Sequence, residues 1–470
     1  MKPEDETVSN LRPELHVTAD KGILNAAAGM LRDGDDWHLF YQYEPSEGAP
    51  TRWAHQFSEG NPFDFYECND VVAPVGGETR VLAGSVVSSA EGTDLYFTSV
   101  TNAGTTIQAA RIDEIETLCD EVAEDGDIDA GVRRLGPVVK DVGRFSRFRS
   151  PCVVPDWKES EDRTRGQSGW VMVASSGPSE KPVPVVLDSP DGTSWSLLGP
   201  LRFNGDTGLS DDAVTVAPRI IRLRDEEDGE IYDVLFLTVE LDKGDLTGYL
   251  VGTLDETEFT VKTPFTRLDY GHDFTRPRST NVVRGMQTDD ERYAEARIFG
   301  LLAATGRGGE PTSQPTWETE GWANALSLPR VVTLAGGALF QTPAEGLPDA
   351  VSATQRAKFW TGMCDIPVGS SVTVEVLDTN GEVAATITHS GDEITLDRLD
   401  GSPATATLSD ADEDHISVLV DGSAIEVFAG GGAVTMASRF WPENGVGELR
   451  ATTDGDAEIL NQWARPRANV

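Results

Sequence analysis

Carboxylates are the side chains of this sequence most able to do chemistry. The chain carries 79 Asp and Glu residues against 38 Lys and Arg in 470 residues. Asp20 stands in the segment HVTADKGILNAAAG, and the pair Asp211 and Asp212 precedes the strand-like run TVAPRIIRL. Carboxyl groups at such places could act as nucleophiles or as general acids and bases. The alternative, which the overall acidity favours, is that all three belong to solvated acidic loops.

Other kinds of reactive site are not indicated. The sequence shows no glycine-rich phosphate loop and no Ser-His-Asp arrangement in a sensible context, and its six histidines are spread too thinly for a metal site. The four cysteines are widely separated and form no CxxC pair, which argues against a zinc site or a disulfide framework and favours a reducing compartment. They are Cys68, Cys119, Cys152 and Cys364. We therefore expect no metal and no cofactor.

The elements that must position these residues are mainly strands. Short alternating or β-branched runs stand between clusters of Gly, Pro, Asp and Ser, a pattern typical of all-β proteins. The clearest helical pattern is 113–124, with acidic residues at its start. Five strand-like runs recur at fairly regular intervals and predict a five-bladed β-propeller: 37–43, 94–100, 170–175, 232–239 and 297–305.

A second all-β region follows the connection TPAEGLPDA at 342–350. Its strand patterns cover 371–378, 416–422 and 424–430, with a hairpin signal where the last two meet. We therefore predict two domains, a propeller over 10–340 and a β-sandwich over 345–470.

Composition limits the partners. Apolar residues make up 39% of the chain, enough for a globular protein. The net charge of −41 predicts an acidic, salt-adapted surface. Nucleic acid and anionic membrane are disfavoured as partners, because like charges repel and no basic run exists.

The start MKPEDETVSN shows no export signal, and we find no apolar run long enough for a bilayer, so we expect a cytoplasmic protein.

The opening stretch, residues 16–29, resembles that of glycoside hydrolase family 32, the invertases, levanases and inulinases. In that family it reads approximately HFTPPxGWLNDPNG and is followed by HLFYQYNP, which resembles WHLFYQYEP at 37–45. Similar segments continue in the family's order through most of the chain. They are Trp53 with His55 (WGHA), 83–85 (SGS), 148–151 (FRDP), 216–218 (ECP), 268–274 (LDYGxDF), 321–330 (GW and LSLPR) and, in the second region, DxSxxEVF at 421–428.

The resemblance implies a β-fructosidase whose catalytic carboxylates have been replaced. The family's nucleophile falls on Ala26, its transition-state stabiliser on Ser150 and its acid/base glutamate on Val216. None of these side chains can attack an anomeric carbon or donate a proton as a carboxyl group does. Neighbouring positions differ as well, with Ile23 for Trp and Ala217 for Cys, which indicates natural drift. Asp20, Asp211 and Asp212 remain candidates for a relocated catalytic group.

The resemblance also implies where a sugar would bind. Asn25 and Gln42 could hydrogen-bond sugar hydroxyls, or be buried polar groups satisfied by the backbone. Trp53 and Trp322 could stack on a sugar ring, or belong to the core. Asp273 could be a polar group of the pocket, or a turn cap. Ser85, in the SGS segment, completes this set.

Arg149 stands beside the position where the family has its stabilising carboxylate. A buried guanidinium that has lost its acid must find another anion or face solvent. Arg276 and Arg278 replace apolar or neutral family residues and are expected on the same rim. Two interpretations stay open: a pocket that prefers an anionic or phosphorylated sugar, or arginines that pair with surface acids.

Three functions remain after this reasoning. The first is a catalytically silent protein that binds a fructoside or a related sugar. The second is an active glycosidase with relocated catalytic residues, and the third is a structural or interaction protein with a filled pocket. A homo-oligomer joined through the sandwich is compatible with each of them.

Overall fold

The computed structural model describes residues 10–119, 128–156, 169–241, 244–303, 310–409 and 414–464. In these ranges the first part of the chain consists of consecutive antiparallel meanders of four strands. In the first meander, the strands are β1 (Gly22–Asp33), β2 (Asp36–Glu44), β3 (Arg52–Ser58) and β4 (Tyr66–Glu67). In the second, they are β5 (Glu78–Ser89), β6 (Gly92–Thr101), β7 (Gly104–Ile112) and β8 (Val132–Pro137).

The third and fourth meanders repeat this arrangement. The strands of the third are β9 (Arg149–Asp156), β10 (Gly169–Ser176), β11 (Val183–Ser189) and β12 (Ser196–Pro200). A short strand, β13 (Arg202–Asn204), adds in parallel to the outer edge of the fourth. That meander consists of β14 (Thr215–Arg224), β15 (Ile231–Leu241), β16 (Gly244–Asp255) and β17 (Glu258–Arg267).

The fifth meander returns to the first. Its first strand, β18 (Phe274–Val282), pairs in parallel with β1 and so joins the two meanders into one ten-stranded sheet. Two short strands, β20 (Trp322–Ala323) and β21 (Ala325–Leu326), pair with β1 and with the second strand of this meander. That second strand is β19 (Ala296–Leu302), and the meander ends with β22 (Arg330–Ala335) and β23 (Ala338–Pro343).

The first strands of the five meanders contact one another in a closed ring, in the order β1, β5, β9, β14 and β18. Apolar side chains fill the space between adjacent sheets: Phe97 packs against Trp53, and Tyr96 and Met172 belong to one buried cluster. Four of the five runs singled out in the sequence lie within the second strand of their meander, namely β2, β6, β10 and β15. The fifth run, 297–305, begins in β19, and its residues 304 and 305 lie outside the described ranges.

The second part of the chain forms two five-stranded antiparallel sheets around one apolar core. The first sheet contains β24 (Lys358–Asp365), β29 (His415–Asp421), β30 (Ala424–Ala429), β31 (Val434–Arg439) and β33 (Glu458–Ala464). The second contains β25 (Ser371–Asp378), β26 (Val383–His389), β27 (Glu393–Asp397), β28 (Ala404–Thr407) and β32 (Val446–Asp454). The predicted hairpin is confirmed, since Asp421 pairs with Ala424 across a two-residue turn.

Helices are few in the described residues: α1 (Asp289–Ala294), α2 (Pro315–Glu320), α3 (Leu347–Ala353) and three 3-10 turns (Ile115–Thr117, Pro311–Ser313 and Gly430–Gly432). The helix predicted over 113–124 is wrong where the structure describes it, because only the turn at Ile115–Thr117 forms, and residues 120–124 lie outside the described ranges. Burial of Ile115 and Leu118 in the core explains the apolar spacing that suggested a helix. None of the described helices is long and apolar enough to cross a membrane.

The cysteines correct another expectation. Cys68 and Cys119, 51 residues apart in sequence, form a disulfide, whereas Cys152 and Cys364 are buried free thiols. Sequence spacing gave no hint of this pair, because the end of the first meander and the connection between β7 and β8 of the second meet only in the fold. The cysteine argument for a reducing compartment therefore no longer holds.

Candidate functional site

A cavity of about 570 Å³ opens where the five first strands begin. Each of these strands contributes residues near its N-terminal end to the lining. They include Asn25 and Ala26 from β1, Leu82 and Ala83 from β5, Arg149 and Ser150 from β9, Val216 and Ala217 from β14, and Phe274 to Arg276 with Arg278 from β18. The ring of first strands thus brings residues that are far apart in sequence to one site.

Irregular strand pairing aims these residues into the cavity. In all five first strands the register with the second strand shifts within the segment that lines the pocket. Such bulges bend a strand and redirect its side chains. At three of them the extra residue has a positive φ, namely Ser150 (55°), Ala217 (49°) and Arg276 (51°). In β5 the equivalent residue is Gly84, where a Cβ would lie 1.9 Å from the carbonyl oxygen of Tyr96.

The three positions that the resemblance assigns to catalytic carboxylates meet in this cavity. Ala26, Ser150 and Val216 all line it, from three different strands. The hydroxyl of Ser150 is polar, but the other two side chains are aliphatic. The described residues therefore offer no carboxyl group at any of the three places.

Three amide side chains line the cavity, and one of them has a free hydrogen-bonding atom. The Oδ1 of Asn25 is buried and accepts no hydrogen bond within the described structure. Gln42 accepts a hydrogen bond from the backbone N of Ala83 through Oε1 (2.7 Å), which turns its amide group toward the lining. Asn324, with a φ of 66°, donates from Nδ2 to the carbonyl oxygen of Leu24 (2.9 Å) and so supports the strand that carries Asn25.

Two carboxylates of the lining, Glu240 and Asp245, come from facing positions of the hairpin between β15 and β16. Both are close to the guanidinium of Arg276, at 3.6 Å from Nη2 for Glu240 and 3.3 Å from Nε for Asp245. Asp245 also accepts a hydrogen bond from Thr275 (3.0 Å), while its other oxygen is buried without a partner in the described residues. The charges of this pair are therefore partly neutralised by Arg276.

Asp273 is the third carboxylate of the lining, and it faces the sandwich. Its Oδ2 accepts hydrogen bonds from the backbone N of Arg439 (2.7 Å) and from Nη1 of Arg398 (3.2 Å). Burial raises the pKa of Asp273 to about 6, against the lowering effect of these two neighbours. The residue thus belongs both to the pocket and to the joint between the two parts of the chain.

The remaining candidates from the sequence lie outside the cavity. Trp53 and Trp322 are fully buried in the packing between elements and do not line the cavity, because their rings fill the core. Ser85 lies behind the lining and accepts a hydrogen bond from the backbone N of Val153 (3.2 Å). Asp20, Asp211 and Asp212 are exposed and outside the lining, in loops that point to solvent. The expected pocket residues that do lie in it are Asn25, Gln42, Arg149 and Asp273.

The arginines expected on one rim, Arg149, Arg276 and Arg278, all line the cavity. Arg149 is half-buried and donates to the carbonyl oxygens of Gly177 (2.6 Å) and Pro178 (3.2 Å). Burial lowers the pKa of Arg149, and the nearby charge of Glu240 acts in the opposite direction. Carbonyl oxygens of the neighbouring loop therefore replace the carboxylate that the resemblance places beside this residue.

Sequence reasoning missed Glu240, Asp245, Asn324 and, behind the lining, Arg219. The first two lie on either side of a hairpin, and the acidic run ELDKGD at 240–245 between two β-branched runs was the available signal. Arg219 follows the bulge of β14 as Arg278 follows that of β18, and this equivalence becomes visible only in the fold.

Comparison with known proteins agrees with this architecture. The model of the glycosyl hydrolases family 32 N-terminal domain matches residues 16–343, and that of the family 32 C-terminal region matches residues 368–464. The chain belongs to glycosyl hydrolase family 32. A sucrose-6-phosphate hydrolase of Bacillus subtilis is 24% identical over 95% of this chain and 92% of its own length. An invertase of Wickerhamomyces anomalus is 25% identical over 70% of this chain and 58% of its own.

Solved structures of the family show the same fold. A mutant of the family 32 beta-fructofuranosidase of Bombyx mori, in complex with sucrose, superposes with a TM-score of 0.70 at 21% identity, over 95% of this chain and 93% of that one. The sucrose-6-phosphate hydrolase of Lactobacillus gasseri gives a TM-score of 0.73 at 17% identity, over 98% and 94% of the two chains. These enzymes combine a β-propeller with a β-sandwich, the all-β arrangement to which the present chain conforms.

Proposed function

We propose that this family 32 chain binds a small carbohydrate, a fructoside or a related sugar, in the cavity at the start of the first strands, and does not hydrolyse it by the family's usual route. The observation that carries this proposal is the meeting of Ala26, Ser150 and Val216 in one open cavity that keeps polar side chains. A relative of the same family holds sucrose in its solved structure.

The chemical argument concerns the carboxyl groups. Retaining glycosidases use two of them about 5 to 5.5 Å apart, one to attack the anomeric carbon and one to protonate the leaving oxygen. Ala26 and Val216 can do neither. The loss of the general acid alone typically slows such a reaction by about 10²- to 10⁴-fold, and the loss of the nucleophile removes the covalent route as well.

Binding requires less than catalysis. The unpaired Oδ1 of Asn25 can accept a hydrogen bond from a sugar hydroxyl, and the amide group of Gln42 is held in place by Ala83. Positive φ values of residues other than glycine persist only where the surrounding structure fixes them, so the bulged strands support a lining that is formed before a ligand arrives. An open cavity of this kind supports a binding function over a structural protein with a filled pocket.

Calorimetric titration of the full chain with fructose, sucrose and a short inulin tests this proposal. We expect saturable binding of at least one of these sugars and no change in sugar composition after the titration. The absence of binding for all three would refute the carbohydrate-binding proposal.

An active glycosidase with relocated carboxylates is the second candidate, and the presence of Glu240, Asp245 and Asp273 in the lining favours it. Against it, Glu240 and Asp245 share Arg276, and Asp273 is bound by the sandwich. Sugar release that disappears in Glu240→Gln or Asp245→Asn, but persists in the exposed variant Asp211→Asn, would establish this second function.

We also propose that the five meanders are the blades of a propeller that covers about residues 10–340, and that residues 345–470 form a separate sandwich domain. The closed ring of first strands and the separate apolar core of the second part support this division. A cytoplasmic location and a homo-oligomer joined through the sandwich remain proposals from the sequence.

A further inference from the structure

We propose that the inner end of the cavity is an anion site, built by Arg278 and Arg219, that takes the carboxylate or phosphate oxygens of an anionic ligand. This inference rests on the proposed carbohydrate-binding function and narrows it to a class of ligand. It starts from two guanidinium groups that the fold buries without an acid.

Arg219 is the clearest example of a buried guanidinium without an acidic partner. It is only 3% exposed, and its Nη1 donates to the carbonyl oxygens of Ser150 (2.8 Å) and Pro218 (2.6 Å). Its Nε and Nη2 are buried with no hydrogen-bond partner in the described residues. An arginine cannot escape this situation by losing its proton under ordinary conditions. Burial still lowers the pKa of Arg219 to about 10.

Arg278 adds a second charge from the neighbouring first strand and reaches the cavity itself. It is 6% exposed and donates to the carbonyl oxygens of Gly84 (3.2 Å), Arg276 (3.1 Å) and Pro277 (3.0 Å). Burial and the positive charge of Arg219 both lower the pKa of Arg278. Two like charges therefore lie close together inside the ring, held only by the partial charges of carbonyl groups.

The acids of the lining are already engaged elsewhere. Glu240 and Asp245 share Arg276, and Asp273 accepts hydrogen bonds from the sandwich. No described carboxylate lies within 4 Å of a charged nitrogen of Arg219 or Arg278, and the positive charge of Arg276 acts on both of them. Burial of an unpaired charge destabilises the folded state, and a bound anion would compensate for this loss.

This part of the pocket therefore carries positive charge where the resemblance places negative charge. Where the resemblance places two acids, at Ser150 and Val216, the chain has neutral residues, and behind them it has guanidinium groups. Carboxylate and phosphate oxygens match the planar fork of arginine best, with two parallel hydrogen bonds per group. Such oxygens could belong to a charged group on a sugar or to a free anion, and the experiment separates these sources.

The test measures thermal unfolding and calorimetric binding of the full chain with three probes at constant ionic strength: fructose, fructose 6-phosphate and inorganic phosphate. Arg278→Gln removes the charge that reaches the cavity and keeps a polar side chain. Arg222→Gln is the matched control, since Arg222 lies on β14 three residues after Arg219 but is paired with Asp233 (2.8 Å). Arg222 lines a different cavity, at the opposite end of the ring of first strands.

We expect fructose 6-phosphate to bind at least about ten times more tightly than fructose, as charge-assisted hydrogen bonds are strong. In Arg278→Gln this advantage should vanish while fructose still binds, and the melting temperature without anions should rise because an unpaired charge is gone. Arg222→Gln should melt lower than the wild type but keep the preference for the phosphorylated sugar.

Each outcome decides the question. Equal stabilisation by inorganic phosphate and fructose 6-phosphate would identify a site for a free anion, whereas stabilisation by the sugar phosphate alone would identify a charged group on the sugar. Binding of fructose with no preference for either anion would overturn the anion site and leave the proposed function intact. If fructose and both anions fail to bind, the proposed anion site and the proposed binding of fructose are both refuted.

Discussion

At the scale of single residues, the cavity offers hydrogen-bonding groups, but two of the three positions that the resemblance assigns to carboxylates carry aliphatic side chains and the third carries a serine. Asn25 and Gln42 remain in the lining beside Ala26, while Ser150 and Val216 face them from two other strands. A change from carboxylate to alanine or valine removes a proton donor or a nucleophile but leaves the backbone path unchanged. Under the proposed function, the difference between binding and hydrolysis in this chain depends on these three side chains.

Asn25 gives a direct prediction at this scale. In Asn25→Ala, sugar binding should weaken by about tenfold or more, because a sugar hydroxyl in the cavity loses its acceptor. Calorimetry of the wild type and the variant measures the change. Asn204→Ala, on the exposed edge strand β13, is the control and should bind as the wild type does. Equal affinities in all three proteins would show that Asn25 does not contact the ligand.

At the scale of elements, a buried polar network joins the two parts of the chain. His16, just before β1, lies between Asp421 of β29 (2.9 Å from Nδ1) and Glu426 of β30 (3.1 Å from Nε2). Arg330 of β22 binds Glu426 (2.8 Å) and Asp269 (2.9 Å) from the other side. All five side chains are almost fully buried, so removal of one partner leaves an uncompensated charge, a loss of roughly 3–5 kcal/mol.

This network predicts how stability depends on pH. Burial alone would lower the pKa of His16, but its hydrogen bonds with Asp421 and Glu426 raise it to about 9, against 6.5 ordinarily. The folded state therefore holds this proton more tightly, and the stabilisation is complete below about pH 6.5 and lost as the pH rises through 9. The loss amounts to about 3 kcal/mol.

Urea unfolding at a series of pH values between 7 and 9 measures this effect. The free energy of unfolding should fall across the range in the wild type and stay nearly constant in His16→Gln, which starts from a lower value. His38→Gln serves as the control, because burial lowers the pKa of His38 to about 4 and it does not titrate in this window. A slope that persists in His16→Gln would assign the effect to another group.

The elements also show which features could be predicted from the sequence. The all-β class, the recurring second strands and the hairpin at Asp421 followed from alternation and turn residues, which are local signals. The disulfide between Cys68 and Cys119 and the pairing of Arg276 with Glu240 and Asp245 did not, because both depend on how neighbouring meanders meet. The choice between core and pocket for Trp53 and Trp322 stayed open for the same reason, since a large aromatic residue gives the same sequence pattern in both places.

At the scale of the whole molecule, residues near the start of the chain are in contact with residues of the C-terminal sandwich. The opening segment that contains His16 is tied to the sandwich motif that contains Asp421 and Glu426, and Asp273 joins the cavity to Arg398 and Arg439. The sandwich therefore supports the pocket from outside, and a fragment without it would leave these buried groups unpaired.

The net charge of −41 gives a prediction for the whole chain. Repulsion between acidic groups destabilises the compact state and is screened by salt. The melting temperature should therefore rise steeply between low and molar potassium chloride, as differential scanning calorimetry can measure. A melting temperature that does not change with salt would mean that the surface acids are already balanced by local partners.

The most direct test of the whole account is the release of fructose from sucrose by a high concentration of purified protein, measured against a blank without protein. We predict no release by the wild type. A chain with Ala26→Asp, Ser150→Asp and Val216→Glu should acquire measurable release, because the cavity and its bulged strands are already in place. Release by the wild type that is abolished by Glu240→Gln or Asp245→Asn would contradict the account and show that catalysis has been rebuilt on other carboxylates.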